Sequence, residues 1–125
     1  MSDYYLAYLK HIRDECKYLQ AEVKGKYAYE AFFEDDTIKR ASVRSIEIIG
    51  EAAKKIPVDI KLQWNNVDWR AITGMRDRLI HDYMGINYQI VWDVIQNKIP
   101  ELQVNIEKIH HPSFIIHHSS SMPEP

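Results

Sequence analysis

The chain has 125 residues, 46% of them hydrophobic and 27% charged, with a formal net charge of -2 at pH 7. That is one domain of ordinary size, long enough to bury its own core, and the near-balanced charge argues against a simple basic glove for nucleic acid. A single cysteine rules out an internal disulfide, so a reducing, cytoplasmic setting is the expectation; no run approaches the ~20 apolar residues of a membrane span, and Met1-Ser2-Asp3 opens no signal-peptide pattern.

The first predicted element runs from Asp3 to about Lys24. Tyr5, Leu9, Ile12, Cys16, Leu19 and Val23 recur at spacings of 4-3-4-3-4, one apolar stripe of a helix. Ser2 or Asp3 can cap it, and Gly25 can supply a left-handed residue to end it. The aromatic run from Lys26 to Phe33 has room for a helical turn or two. Glu34-Asp35-Asp36 then marks the start of a second long helix, Thr37 to Lys55. Its inward positions read Ile38, Ala41, Ser45, Ile48, Ala52 and Ile56, with Ser42, Ile49 and Ala53 alongside. Small residues dominate that stripe, so a neighbouring helix can approach closely. Pro57 stops it.

Val58 to Asp68 reads as a short helical or turn segment, with Asn65-Asn66 as the turn signal. A third helix is predicted from Trp69 to about His81, with Ile72, Met75, Leu79 and Tyr83 on one face. After Gly85 comes a fourth long helix, whose stripe is Trp92, Ile95, Ile99, Leu102, Ile106 and Ile109. Pro100 should kink it, because its ring clashes with the Gln96 carbonyl. No sustained alternation of period two appears. The expected fold is all-α: an up-and-down bundle of four long helices plus short helical segments, filling residues 1-110, with 111-125 as a flexible tail.

One stretch differs from the rest: Gly74-Met75-Arg76-Asp77-Arg78-Leu79-Ile80-His81-Asp82-Tyr83-Met84-Gly85. Arginine, histidine and tyrosine so close together suit phosphodiester chemistry, since histidine exchanges a proton near neutrality and arginine neutralises phosphate charge bidentately. Spacing alone fits solvated ion pairs more readily, because Arg78 and Asp82, like Asp77 and His81, are i,i+4 partners. At ~100° per residue, Arg76 and His81 also lie ~140° apart, whereas Tyr83 returns to the Arg76 face. The pair converges if the helix ends near His81 or if a second copy of the chain completes the site.

Arg76-x4-His81-x-Tyr83 resembles the R-x4-H-x-Y signature of HEPN-domain proteins, specifically the HepT-like toxins of HepT/MntA toxin–antitoxin modules. The likeness extends to Arg44–Lys54, to the lead-in Asp68–Met75, and to the stretch from Ile90 through Pro100 to Leu102, covering about Tyr4 to Ile109. The resemblance implies a HEPN-like bundle that forms a homodimer and joins two motifs in one cleft. It implies metal-independent RNA cleavage, with no cofactor and no metal ligands. His81 would then serve general acid–base catalysis, Arg76 would stabilise the scissile phosphate, and Tyr83 would hold RNA and accept AMP from an MntA-like minimal nucleotidyltransferase antitoxin. Asp77 and Arg78 are possible supporting residues; many members carry Asn where Asp77 stands, and a carboxylate there can orient His81 or repel RNA. The alternative is a non-catalytic subunit that acts only as scaffold or substrate for the nucleotidyltransferase. An RNA substrate assay separates the two, and neither needs a membrane.

Other residues read as structural. Cys16 lies on an apolar stripe, Trp64, Trp69 and Trp92 suit helix packing better than base stacking, and Glu47 and Glu51, an i,i+4 pair that can reach the cleft, suit a solvated or dimer-contact role better. The pairs His110-His111 and His117-His118 flank the tail and point apart, which disfavours a metal site.

Overall fold

The structure, a computed structural model, describes residues 4–79 and 85–109. Within them the chain is helical and forms no β-strand: α1 (Tyr5–Leu19), α2 (Tyr29–Glu34), α3 (Asp36–Lys54), α4 (Val58–Gln63), α5 (Trp69–Leu79), α6 (Tyr88–Asp93) and α7 (Ile99–Glu107). The long elements α1, α3, α5 and the α6–α7 pair make the bundle, and α2 and α4 are the short segments. None of the described helices is long and apolar enough to cross a membrane. The expected tail and its histidine pairs lie outside the described residues.

Helix α1 buries its whole predicted stripe, with Leu9, Ile12, Cys16, Leu19 and Val23 all shielded from solvent. Burial pushes the Cys16 thiol up to about 12, helped by the nearby carboxylates of Glu107 and Glu15, so it stays an inert core group. The end of this helix corrects the expectation for Gly25. Its backbone is right-handed at φ -83°, and α1 runs out through a π turn, Gln20–Lys24, closed by the Gly25 N–H donating to the Gln20 carbonyl at 2.9 Å. A Cβ at Gly25 would come within 3.2 Å of that same oxygen, so close approach, not handedness, favours glycine there.

Asp35 caps α3. Its Oδ1 accepts from the Ile38 N–H at 3.0 Å, and its Oδ2 accepts from the Tyr27 hydroxyl at 2.8 Å. Those two bonds hold its carboxyl below the usual aspartate range, and the same contact raises Tyr27. A carboxylate with a lowered folded-state pKa contributes stability above the ordinary aspartate range and loses it as pH falls through the folded value. Asp35→Asn keeps a capping oxygen but not the charge. The thermal midpoint of wild type should therefore fall more steeply than that of Asp35→Asn on acidification below about pH 4; parallel curves would contradict this role.

The buried face of α3 is rotated from the predicted one. Val43 and Ile46 enter the core beside Ser42, Ser45, Ile49, Ala52 and Ala53, while Ala41 and Ile48 are only half-buried. Gly50, outside the predicted stripe, faces α5, and a Cβ there would stand at an ordinary contact distance of 3.5 Å from the Ile72 carbonyl. The buried Ser42 hydroxyl is satisfied by donating to the Ile38 carbonyl at 2.7 Å.

Pro100 acts differently from a simple kink. It sits in the first turn of α7, where its missing N–H costs little. The preceding turn widens to a π turn, Val94–Lys98, in which the Ile99 N–H donates five residues back to Val94. The predicted Ile95, Ile99, Leu102, Ile106 and Ile109 are all buried; only ahead of the π turn does the stripe shift, so that Val91 and Val94 are buried and Trp92 is half-buried. Trp92 instead packs on Phe32 and Tyr29 of α2, at ring-centroid distances of 5.2 and 5.8 Å.

Candidate active site

Helix α5 is fixed at its start and therefore in its rotation. Asp68 Oδ1 accepts from the Ala71 N–H at 3.1 Å, and the Trp69 indole donates to the Trp64 carbonyl at 3.1 Å. Ile72, Met75 and Leu79 then face the core, which leaves Arg76, Asp77 and Arg78 exposed in its last turns. Cations at that end also complement the helix dipole.

The contact at Gly50 sets the register between α3 and α5. Gly50 lies opposite Ile72 and Thr73, so moving one turn along each antiparallel helix brings Glu47 opposite Arg76. Arg76 Nε stands 3.5 Å from Glu47 Oε2, and one of its terminal nitrogens stands 3.8 Å from Asp77 Oδ1. Arg44 completes the group at 3.6 Å from Glu47 and 3.9 Å from Glu51. The Glu47 side chain is 23% exposed and that of Arg76 is 49%. A carboxylate anchored on the bundle thus engages the Nε side of a half-exposed guanidinium. Such a pair adds little to stability at this exposure, but it restrains a guanidinium that stays half-exposed, a group suited to a phosphate.

Of the two readings the sequence leaves for Glu47, reach into the cleft and a solvated or dimer-contact role, its ion pair with Arg76 favours the first.

His81 and Tyr83 lie outside the described residues, as does Asp82. What is described is how the chain leaves and returns. Across the segment, the Asn87 N–H donates to the Leu79 carbonyl at 2.8 Å. Asn87 then caps α6, its Oδ1 accepting from the Ile90 N–H at 3.1 Å. Between them Gly85 adopts φ 108°, a left-handed conformation that suits glycine. The two ends of the segment bearing His81 and Tyr83 are therefore tied together next to the turn that carries Arg76.

Arg78 faces a different neighbour from Arg76. It lines an open groove between α5 and α7, with Lys98 on the far wall. Asp77 is more exposed than either glutamate, at 81% of its side chain. Among the described residues no group of three His, Cys, Asp or Glu side chains converges to hold a metal ion.

Comparison with known proteins gives a consistent answer. The family described as ribonuclease HepT-like matches residues 8–109. A protein of Caldanaerobacter subterraneus subsp. tengcongensis named "Putative RNase" is 47% identical over 102 residues, covering 82% of this chain and 90% of its own length. One of Methanocaldococcus jannaschii with the same description is 46% identical over 81 residues, 65% of this chain and 67% of its own. A Thermococcus cleftensis protein named "Probable ribonuclease HepT" is 35% identical over 102 residues, 82% of this chain and 92% of its own. No solved structure gives a significant match.

Proposed function

The chain belongs to the HepT-like ribonuclease family, and from that premise we propose that it is a metal-independent endoribonuclease, the toxin of a cytoplasmic toxin–antitoxin module. The observation that carries the reading is the Glu47–Arg76 pair at the head of the R-x4-H-x-Y segment. A half-exposed guanidinium, held from behind by a carboxylate, is ready to receive the charge that builds on a phosphate during cleavage. His81 supplies general acid–base catalysis at the attacking or leaving oxygen. Tyr83 contacts the RNA, with Asp77 beside the motif as an orienting carboxylate.

The working unit in this proposal is a homodimer. Arg76 and His81 diverge by ~140° on a continuing helix, so a second copy of the motif closes the cleft around one phosphate. Silencing follows from the same chemistry. An MntA-like minimal nucleotidyltransferase transfers AMP from ATP to the Tyr83 oxygen, with loss of the hydroxyl proton and release of pyrophosphate, and the added bulk and negative charge occupy the place of the RNA phosphate.

Arg76→Ala should lower single-turnover RNA cleavage by about 10²–10³-fold, and Arg76→Lys should recover only part of it, since an ammonium lacks the planar fork. Cleavage by Arg76→Ala at the wild-type rate would sink this assignment. For the partner, intact mass after co-expression with such a nucleotidyltransferase should show AMP increments that disappear in Tyr83→Phe; an unmodified wild type would overturn it.

A further inference from the structure

The groove between α5 and α7 encloses about 400 Å³ and opens to solvent. Its lining mixes apolar side chains, among them Ala71, Met75 and Leu102, with the charged Arg78, Lys98, Asp68 and Glu101. Among the described residues neither Arg78 nor Lys98 has an acidic partner, whereas Asp68 already spends one carboxylate oxygen capping α5. We propose that this groove is a nucleotide subsite for the RNA strand, a few positions from the scissile phosphate, a proposal that rests on the ribonuclease reading above.

Three features fit one nucleotide. Arg78 and Lys98 supply two cations for a phosphate, of which the arginine can bind in bidentate fashion. The apolar side chains match the face of a base, and Glu101 can accept from an exocyclic amino group. The volume lies in the range of small-ligand pockets rather than of flat helix-docking faces. Position supports the same occupant. Arg76 and Arg78 share the last turn of α5 but lie on opposite sides of it, and α5 is only about 10–12 Å across with its side chains. Arg76 and Arg78 are two residues apart on one helix, so a strand held by Arg76 needs only a few nucleotides to pass around α5 and reach Arg78. The mild net acidity of the chain is no obstacle, because the cations that matter are local.

The test reads binding without cleavage. In a His81→Ala background, the anisotropy of a fluorescent single-stranded oligoribonucleotide gives Kd. Adding Arg78→Ala with Lys98→Ala should raise Kd by about tenfold or more and flatten the slope of log K against log salt by about 0.7, one phosphate contact fewer. Ala71→Trp, which fills the groove and keeps both cations, should raise Kd in the same direction. Melting curves of each variant confirm that the fold is retained. Values within about twofold of the parent in both variants would overturn the subsite, as would unchanged RNA binding with lost self-association or antitoxin capture, which would make the groove a protein interface. Cleavage by the otherwise wild-type chain is scored separately. A protein that cuts RNA with both Kd values unmoved keeps its ribonuclease activity and loses the subsite; one that binds through the groove and never cuts does the reverse.

Discussion

Replacing His81 with alanine should slow RNA cleavage by about 10²–10⁴-fold, the usual contribution of a positioned general acid–base group. The expectation follows from the division of labour in the motif. Arg76, oriented by Glu47 at 3.5 Å, can stabilise charge but cannot exchange a proton at neutral pH, so the proton steps fall to the histidine. Removing the histidine leaves phosphate binding in place, and the loss should appear in the rate constant at saturating RNA rather than in KM. Single-turnover kinetics with matched purity decide it, with circular dichroism melting as the control for folding. Undiminished cleavage by His81→Ala would mean that the proton transfers run elsewhere.

The largest expected effect on stability is at Phe32. Its side chain is fully buried although it lies on a helix of only six residues. It packs tilted against Trp92 at 5.2 Å and edge-on to Phe33 at 5.6 Å. Phe32→Ala should cost about 3–5 kcal/mol through lost transfer energy and the cavity left behind, a large share of the 5–15 kcal/mol typical of a domain. Phe33→Ala, at a half-buried position, should cost less. Urea unfolding of the two variants measures both; a Phe32→Ala loss below about 1 kcal/mol would show that the site collapses to refill the space. The effect reaches the candidate site through α6. Phe32 packs on Trp92 of α6, and Asn87, which caps α6, closes the motif-bearing segment on Leu79.

Much of this was legible in the sequence wherever one physical cause dominated. The α1 stripe from Tyr5 to Val23 was readable because burial alone sets it. The start of α3 was readable because Asp35 can cap only from there. What escaped notice arose where two elements share a decision. The π turn at Val94–Lys98 absorbs Pro100 together with its neighbours and moves the stripe ahead of it onto Val91 and Val94, a shift that a fixed period of 3.6 cannot show. Gly25 looked like a left-handed terminator, yet the π turn at Gln20–Lys24 brings its N–H to Gln20 without that conformation. For Glu47 the sequence left a cleft role and a solvated one both open, because its partner Arg76 lies on another helix and only the packing of α3 on α5 sets the two side by side. Arg76 and Arg78, two residues apart, face α3 and α7 respectively, since positions two apart on a helix point to nearly opposite sides. The R-x4-H-x-Y spacing was visible from the start; the reason Arg76 points outward, oriented, was not.

The central claim is that this chain by itself cuts RNA with its own side chains. The most direct measurement exposes a labelled single-stranded RNA to the purified wild-type protein in the presence of excess chelator, beside Arg76→Ala and His81→Ala purified identically, with products resolved on a sequencing gel. The account predicts discrete cuts that increase with wild-type protein, persist in chelator and are lost in both variants. Intact RNA with the wild-type protein, or equal cutting by all three, would contradict it.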